Sequence, residues 1–218
     1  MSPAPAREVA WAELLAHPGV REPVHLGSSF GFMAFHAGVE GGTLEVAAAA
    51  AAAAGASWYA VTQPVDLRWH VASADVDPAS SAPLAGFLSH VEVVVAIHGW
   101  GRLRRPRDIL VGGANRRLAE HVAVCLREAT DEFDVIDDLD AIPARLRGLH
   151  PANPCNRPAG GGVQLELPPA ARGASWRPAD IGLPCRPAPA IVDGLAAAAA
   201  SWAPALLQPT SNVPPDLQ

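Results

Sequence analysis

Two apolar runs, each closing on a histidine, constrain this chain more than any other feature. The first is Phe30-Gly31-Phe32-Met33-Ala34-Phe35-His36, followed at once by Ala37-Gly38-Val39-Glu40-Gly41-Gly42-Thr43. The second is Val91-Glu92-Val93-Val94-Val95-Ala96-Ile97-His98-Gly99. Runs this short and this apolar read as buried strands of a parallel sheet. Each presents an imidazole at the C-terminal edge, where open α/β sheets place their ligand sites. Two such imidazoles with a nearby carboxylate suit a catalytic zinc, which takes three protein ligands and keeps one position for water.

The rest of the pattern alternates strands with helices. Thr43 to Ala54 reads as a helix because alanine is the strongest helix former, and Gly55 is a natural stop. Trp58 to Thr62 follows as a strand, so strand, helix and strand fill one βαβ unit. Ser81 to His90 predicts a short helix feeding the strand at 91–97, after a polar loop over 65–81 that contains His70. Asp108 to Gly113 predicts a strand and turn. Asn115 to Glu128 predicts an amphipathic helix with Leu118, Val122, Cys125 and Leu126 on one face. Phe133 to Ile136 is a further strand candidate, and residues 143–161 read as a long loop of the kind that often carries function. Gly162 to Pro168 is the last clear strand, and Ile191 to Leu207 reads as a closing helix. The expectation is an α/β fold in a single domain, with a mixed, mostly parallel sheet flanked by helices. Residues 1–22 form an N-terminal helical extension, 23–172 the domain, and 173–218 a Pro/Ala-rich segment whose last ten residues are expected to be disordered.

Composition excludes more than it identifies. A net charge of −6, with no nucleic-acid-binding motif beside the arginine cluster, argues against a nucleic-acid partner. Cys125, Cys155 and Cys185 form no CxxC pair, which argues against a cysteine metal site and a disulfide framework and points to a reducing compartment. No basic start leads into an apolar core, so no signal peptide is expected. The alanine run Ala47–Ala54 falls far short of the ~20 residues a membrane span needs. The expectation is a soluble cytoplasmic protein with no membrane partner.

The candidate zinc ligands are His36 and Glu40, in one turn past a strand, and His98, closing the second. The alternative is that each histidine is a hydrogen-bonded surface or core residue. Metal hydrolysis also needs a base for the bound water. Glu166 is the candidate, because a carboxylate inside Val163-Gln164-Leu165-Glu166-Leu167 is costly without a role or a partner. The alternative places Gln164 and Glu166 on the solvent face of an edge strand. The segment Gly101-Arg102-Leu103-Arg104-Arg105-Pro106-Arg107 would draw in an anionic substrate, or else forms a solvated basic loop. Asn156-Arg157 is a second polar pair able to hold a carboxylate, or else a turn.

Taken in order, the motifs are specific as a set. They read HxGxExGT from His36, HGxGR from His98, LxGGxNxxL from Leu110, LRGxHPxNPxN from Leu146 and GGxQLELP from Gly161. This set resembles the poly-γ-glutamate hydrolase family of bacteria and their phages. The matching stretches are Phe32 to Ala47, His70 to Arg102, Leu110 to Leu118 and Leu146 to Pro168.

The resemblance implies a zinc carboxypeptidase-like fold and amidohydrolase chemistry on γ-glutamyl bonds, with an anionic glutamate-containing substrate. Carried over, it makes His36, Glu40 and His98 the ligands of Zn2+ and Glu166 the general base. Asn156 and Arg157 become candidates for gripping a substrate carboxylate, with Arg102 on the attracting segment. One departure stands out. The family pattern reads HGGxxE, whereas here His36 and Glu40 are one residue closer and Ala37 replaces a glycine. Glu45 is the nearby substitute carboxylate. Two further readings stay open: a zinc deacylase or carboxypeptidase acting on a small N-acyl amino acid, and a degenerate, non-catalytic binding protein.

Overall fold

The structure is a computed structural model, and it describes residues 6–175 and 184–203. Its strands are β1 (Arg7–Glu8), β2 (Val24–His25), β3 (Phe30–Ala34), β4 (Ser57–Ala60), β5 (Trp69–His70), β6 (Val93–Gly99), β7 (Asp108–Val111), β8 (Asp134–Ile136) and β9 (Gly162–Leu167). Its helices are α1 (Trp11–Ala16), α2 (Thr43–Ala54), α3 (Ala82–His90), α4 (Arg116–Ala129), α5 (Pro169–Arg172) and α6 (Pro189–Ser201).

Seven strands form the main sheet in the order β2-β4-β3-β6-β9-β7-β8. The central block β4-β3-β6-β9 is parallel, while β2 on β4 and β7 on β9 are antiparallel. From β3 the chain crosses to β4 on one side and later returns to β6 on the other. The sheet therefore changes direction of winding between β3 and β6, the place where doubly wound sheets open a crevice.

Strand alternation divides the core between the two faces. Phe32, Val95, Val163 and Leu165 point to the face covered by α2, α4 and α6. Met33, Val94 and Ala96 point to the other, covered by α1, α3 and two separate segments, one carrying Val71 and Val76 and the other Cys155. Full burial of each large aliphatic side chain stabilises the fold by about 1.5–3 kcal/mol relative to exposure. Alanine lets α2 lie close to its neighbours: Val46, Ala47, Ala50 and Ala51 join one cluster with Ile191, Leu195 and Ala198 of α6. Gly55 ends α2 in the left-handed conformation at φ 65°. Ser81 and Asn115 cap α3 and α4 by accepting from the Leu84 and Leu118 amides.

Several elements differ from the sequence expectation. The loop at 65–81 contains β5, which pairs with β1 in a small parallel sheet of its own. Helix α6 spans Pro189–Ser201, and the expected disorder of the last ten residues lies outside the described residues. The edge-strand reading of Gln164 and Glu166 is overturned. Strand β9 sits between β6 and β7, and all six of its residues are buried. The cause is the antiparallel addition of β7, a long-range pairing that no local pattern announces. Both flanking segments pack on the cores, with Trp11 and Leu14 in one and Ile191 and Leu195 in the other. No described helix is long and apolar enough to cross a membrane.

Candidate active site

The site is built where β3 and β6 end. Past Ala34 the chain folds into a tight turn, with the Val39 and Glu40 amides both donating to the His36 carbonyl at 2.9 and 2.8 Å. This closes one helical turn, so the four-residue spacing lays the Glu40 side chain back beside the His36 ring. Glu40 Oε1 is 3.3 Å from His36 Nδ1, and Glu40 Oε2 is 3.5 Å from His98 Nδ1. The two Nδ1 atoms are 3.2 Å apart. The amide of Gly99, at the end of β6, donates to Glu40 Oε2 at 2.9 Å and fixes that carboxylate. Glu45 lines the same cleft from the first turn of α2, but Glu40 is the carboxylate that contacts both imidazoles.

The donor set fits a divalent cation. His36 Nε2 lies 2.8 Å from the Val71 carbonyl, which can only accept, so Nε2 carries the proton. The lone pair on Nδ1 therefore faces His98 and Glu40. Holding the far nitrogen on a backbone carbonyl is the usual way a metal-binding histidine is oriented. The separations of 3.2, 3.3 and 3.5 Å match the roughly 3.3 Å between ligands of a tetrahedral zinc with bonds of about 2.0–2.1 Å. His98 Nε2 is buried and has no partner among the described residues, so that ring's polar contacts run through Nδ1.

Burial and charge together account for the titration of this group. Burial lowers the His36 pKa despite the attraction of Glu40. At His98 burial is the largest single influence and acts downward, but the charge and hydrogen bond of Glu40, together with the Glu166 charge, outweigh it and raise the pKa. Burial tends to raise Glu40, yet the two imidazoles hold its carboxyl far below the usual range.

His70 joins from the opposite wall. Its ring centroid is 4.6 Å from that of His36, and its Nδ1 lies 2.8 Å from Glu8 Oε1. His36, Glu40 and His70 offer ligand atoms within 4.8 Å of one another, so this trio could also hold a metal. The separations around His98 are shorter. The sequence motifs left His70 without a role, because only the β1–β5 pairing brings it here.

Glu166 stands in register with His98 on the adjacent strand. Gln164 Nε2 donates to Glu166 Oε1 at 2.9 Å, and Asn153 Nδ2 donates to Gln164 Oε1 at 2.7 Å. This buried chain of amides aims the carboxylate. Burial pushes Glu166 up to about 7, with the Glu40 charge adding to the rise and His98 opposing it.

Arg172 was not foreseen. Lying on α5, six residues past Glu166, it is 6% exposed and donates to the Leu167 and Gly41 carbonyls. Its guanidinium lies flat on Gly99, where any Cβ would stand 2.7 Å from Cζ. It thus ties the Glu40 loop to the ends of β6 and β9. The only hint in the sequence is a charged residue in the apolar context Pro169-Ala170-Ala171.

These residues line a cleft of about 1280 Å³. Arg102 lines it, with its guanidinium 5.7 Å from the Trp100 ring centre. Two other arginines of the basic segment are otherwise engaged: Arg105 pairs with Asp108, and Arg107 pairs with Asp134. Asn156 and Arg157 do not line the cleft. The Asn156 side chain accepts from the Ala114 amide and donates to the Gly148 and His150 carbonyls, so it braces the long loop. Arg157 is exposed, with Nε 3.5 Å from the Ala152 carbonyl. Cys155 is fully buried, and burial pushes its thiol up to about 12, which removes it as a nucleophile.

The fold is a mixed, mostly parallel α/β sheet with the candidate groups gathered at the C-terminal edge of its parallel strands. The chain belongs to the poly-γ-glutamate hydrolase family, whose model matches residues 12–181. Among solved structures it is similar to a bacteriophage poly-γ-glutamate hydrolase, at 26% identity and a TM-score of 0.67, over 83% of this chain and 87% of that one. It is also similar in fold to YNDL in its zinc-free apo form, at 23% identity and a TM-score of 0.56, over 71% of this chain and 74% of that one. No curated protein sequence matches it.

Proposed function

We propose that this chain is a zinc-dependent amidohydrolase that cleaves γ-glutamyl amide bonds in an anionic glutamate polymer. The observation that carries the reading is the convergence of His36 Nδ1, His98 Nδ1 and the Glu40 carboxylate within 3.2–3.5 Å, one strand away from the buried Glu166. His36, Glu40 and His98 would hold the zinc. Bound there, it would acidify a water and polarise the scissile carbonyl.

The protein's own groups do the rest. Glu166, whose Oε1 is held by Gln164, takes the water's proton on its other oxygen and later returns it to the leaving amine. A carboxyl poised near neutrality is suited to both transfers. Arg172 keeps the Glu40 loop and the end of β9 at fixed separation. Arg102 contributes positive charge where an acidic substrate enters.

The size of the cleft favours a polymer over the small N-acyl amino acid. At about 1280 Å³ it exceeds the roughly 300–1,000 Å³ usual for small ligands. The closed His36–Glu40 turn speaks against the non-catalytic alternative, because the shorter spacing still brings the carboxylate to both imidazoles. The test is product analysis with γ-glutamyl and α-glutamyl oligomers in the presence of zinc. Shorter γ-glutamyl oligomers are expected. Release only of small free acids from N-acyl amino acids, with the oligomers untouched, contradicts the reading.

A further inference from the structure

Arg68 combines three anomalies in one residue. It is the only described non-glycine residue with a positive φ, at 47°. A side chain with a Cβ is sterically disfavoured there, and such strain collects at functional positions. Its Nε is buried without a hydrogen-bond partner among the described residues. Its side chain lines the cleft two residues before His70, yet it forms no ion pair with any described carboxylate.

The backbone around it is held firmly enough to sustain the strain. The Arg68 carbonyl accepts from the Arg7 amide at 2.9 Å through the β1–β5 pair. The next residue, Trp69, is clamped by Gln63, whose Nε2 donates to the Trp69 carbonyl at 2.8 Å and whose Oε1 accepts from the Trp69 amide at 2.7 Å. The Trp69 ring packs against His17 and the Arg7 guanidinium. A position needing only a left-handed turn is met by glycine or asparagine. Here it carries the side chain whose planar fork matches a carboxylate, facing the cleft.

We propose that Arg68 reads the free α-carboxylate of the glutamyl residue bound on the His70 side of the cleft. The inference rests on the γ-glutamyl reading above: a γ-linked residue uses its side-chain carboxyl in the chain and leaves the α-carboxylate free. Arg68 is a specificity residue, binding substrate without entering the proton transfers. It rewards the γ-linked polymer, and a neutral α-amide of the same chain gains nothing from it.

The test compares two γ-glutamyl oligomers, one with free α-carboxylates and one with every α-carboxyl amidated. Binding is measured by calorimetry on the full chain with zinc, in a Glu166→Gln background that stops turnover, with and without Arg68→Gly or Arg68→Lys. Arg68→Gly is expected to weaken the carboxylate oligomer by roughly 10- to 100-fold, as for a lost charge-assisted pair, and to leave the amide unchanged. Arg68→Lys recovers part of the loss. Thermal unfolding separates recognition from structure: glycine relieves the left-handed strain, so Arg68→Gly melts no lower than its parent. Equal weakening of both oligomers, or a lower melting temperature with carboxylate binding intact, overturns the proposal. Wild-type protein that cleaves no γ-glutamyl oligomer removes the γ-glutamyl reading on which the inference rests. Binding that is insensitive to Arg68→Gly removes only this inference.

Discussion

His98 and Glu166 stand directly opposite one another on the neighbouring parallel strands β6 and β9. Their side chains leave the same face of the sheet, and that pairing sets an imidazole of the candidate metal site beside the candidate base. It also places a carboxylate where water is scarce.

Glu166 therefore carries a stability signature. Its carboxyl titrates at about 7 in the fold against an ordinary 4.5, mainly through burial. A raised carboxyl pKa means that the folded state binds the proton more tightly than the unfolded one. Its contribution to stability is complete below 4.5 and is lost as pH rises through 7. Glu166→Gln removes that titration and keeps the Gln164 contact. In chelator-treated protein the variant is expected to be more stable than the parent at pH above 7, by on the order of 2–3 kcal/mol, with the gain gone in acid. Urea unfolding at the two pH extremes measures this. A variant equally destabilised at both contradicts it.

The same carboxyl sets the pH dependence of turnover. A base must be ionised to accept a proton, so kcat/KM rises with pH along an acid limb at or below about 7, since a bound cation lowers neighbouring carboxyls further. Glu166→Gln is expected to lose about 10²–10⁴ in kcat and to lose that limb. Near-normal turnover in the variant removes Glu166 as the base.

Asn156 separates bracing from binding. Its amide spans the Ala114 amide and the Gly148 and His150 carbonyls, outside the cleft. Asn156→Ala is expected to cost about 1–3 kcal/mol of stability with KM little changed. Arg102→Ala is expected to raise KM for an acidic oligomer and to weaken its salt dependence, with stability unchanged. Denaturation curves and steady-state kinetics on both variants check the contrast. A KM effect at Asn156 without loss of stability contradicts it.

The sequence made the local parts of this protein legible. Alanine content and Gly55 define α2, the apolar face defines α4, and continuous apolar runs define β3 and β6. His36, His98 and Glu166 could be singled out because each is a polar residue at the end of, or inside, an apolar strand, and Glu40 by its spacing from His36. What stayed hidden depends on contacts between distant segments. The two-residue β1 and β5 carry no periodicity, so His70 could not be placed beside His36, nor Arg68 in the cleft. The antiparallel pairing of β7 makes β9 an interior strand, whereas local alternation left an edge strand with a solvent face equally open. Asn156 and Arg157 left both readings open in the sequence, because a polar pair in a long loop looks the same whether it braces that loop or faces a cleft. Arg172 gave only a faint signal, since its partners are backbone carbonyls remote in sequence.

The central claim is that His36, Glu40 and His98 form one zinc site despite the shortened turn. The most direct measurement is zinc content per chain after chelation and reconstitution, for the wild type, His98→Ala and His70→Ala. About one zinc per chain is expected in the wild type and in His70→Ala, with loss in His98→Ala. Retention in His98→Ala with loss in His70→Ala would move the metal to the His36, Glu40 and His70 trio. A wild type that takes up no zinc would contradict the account.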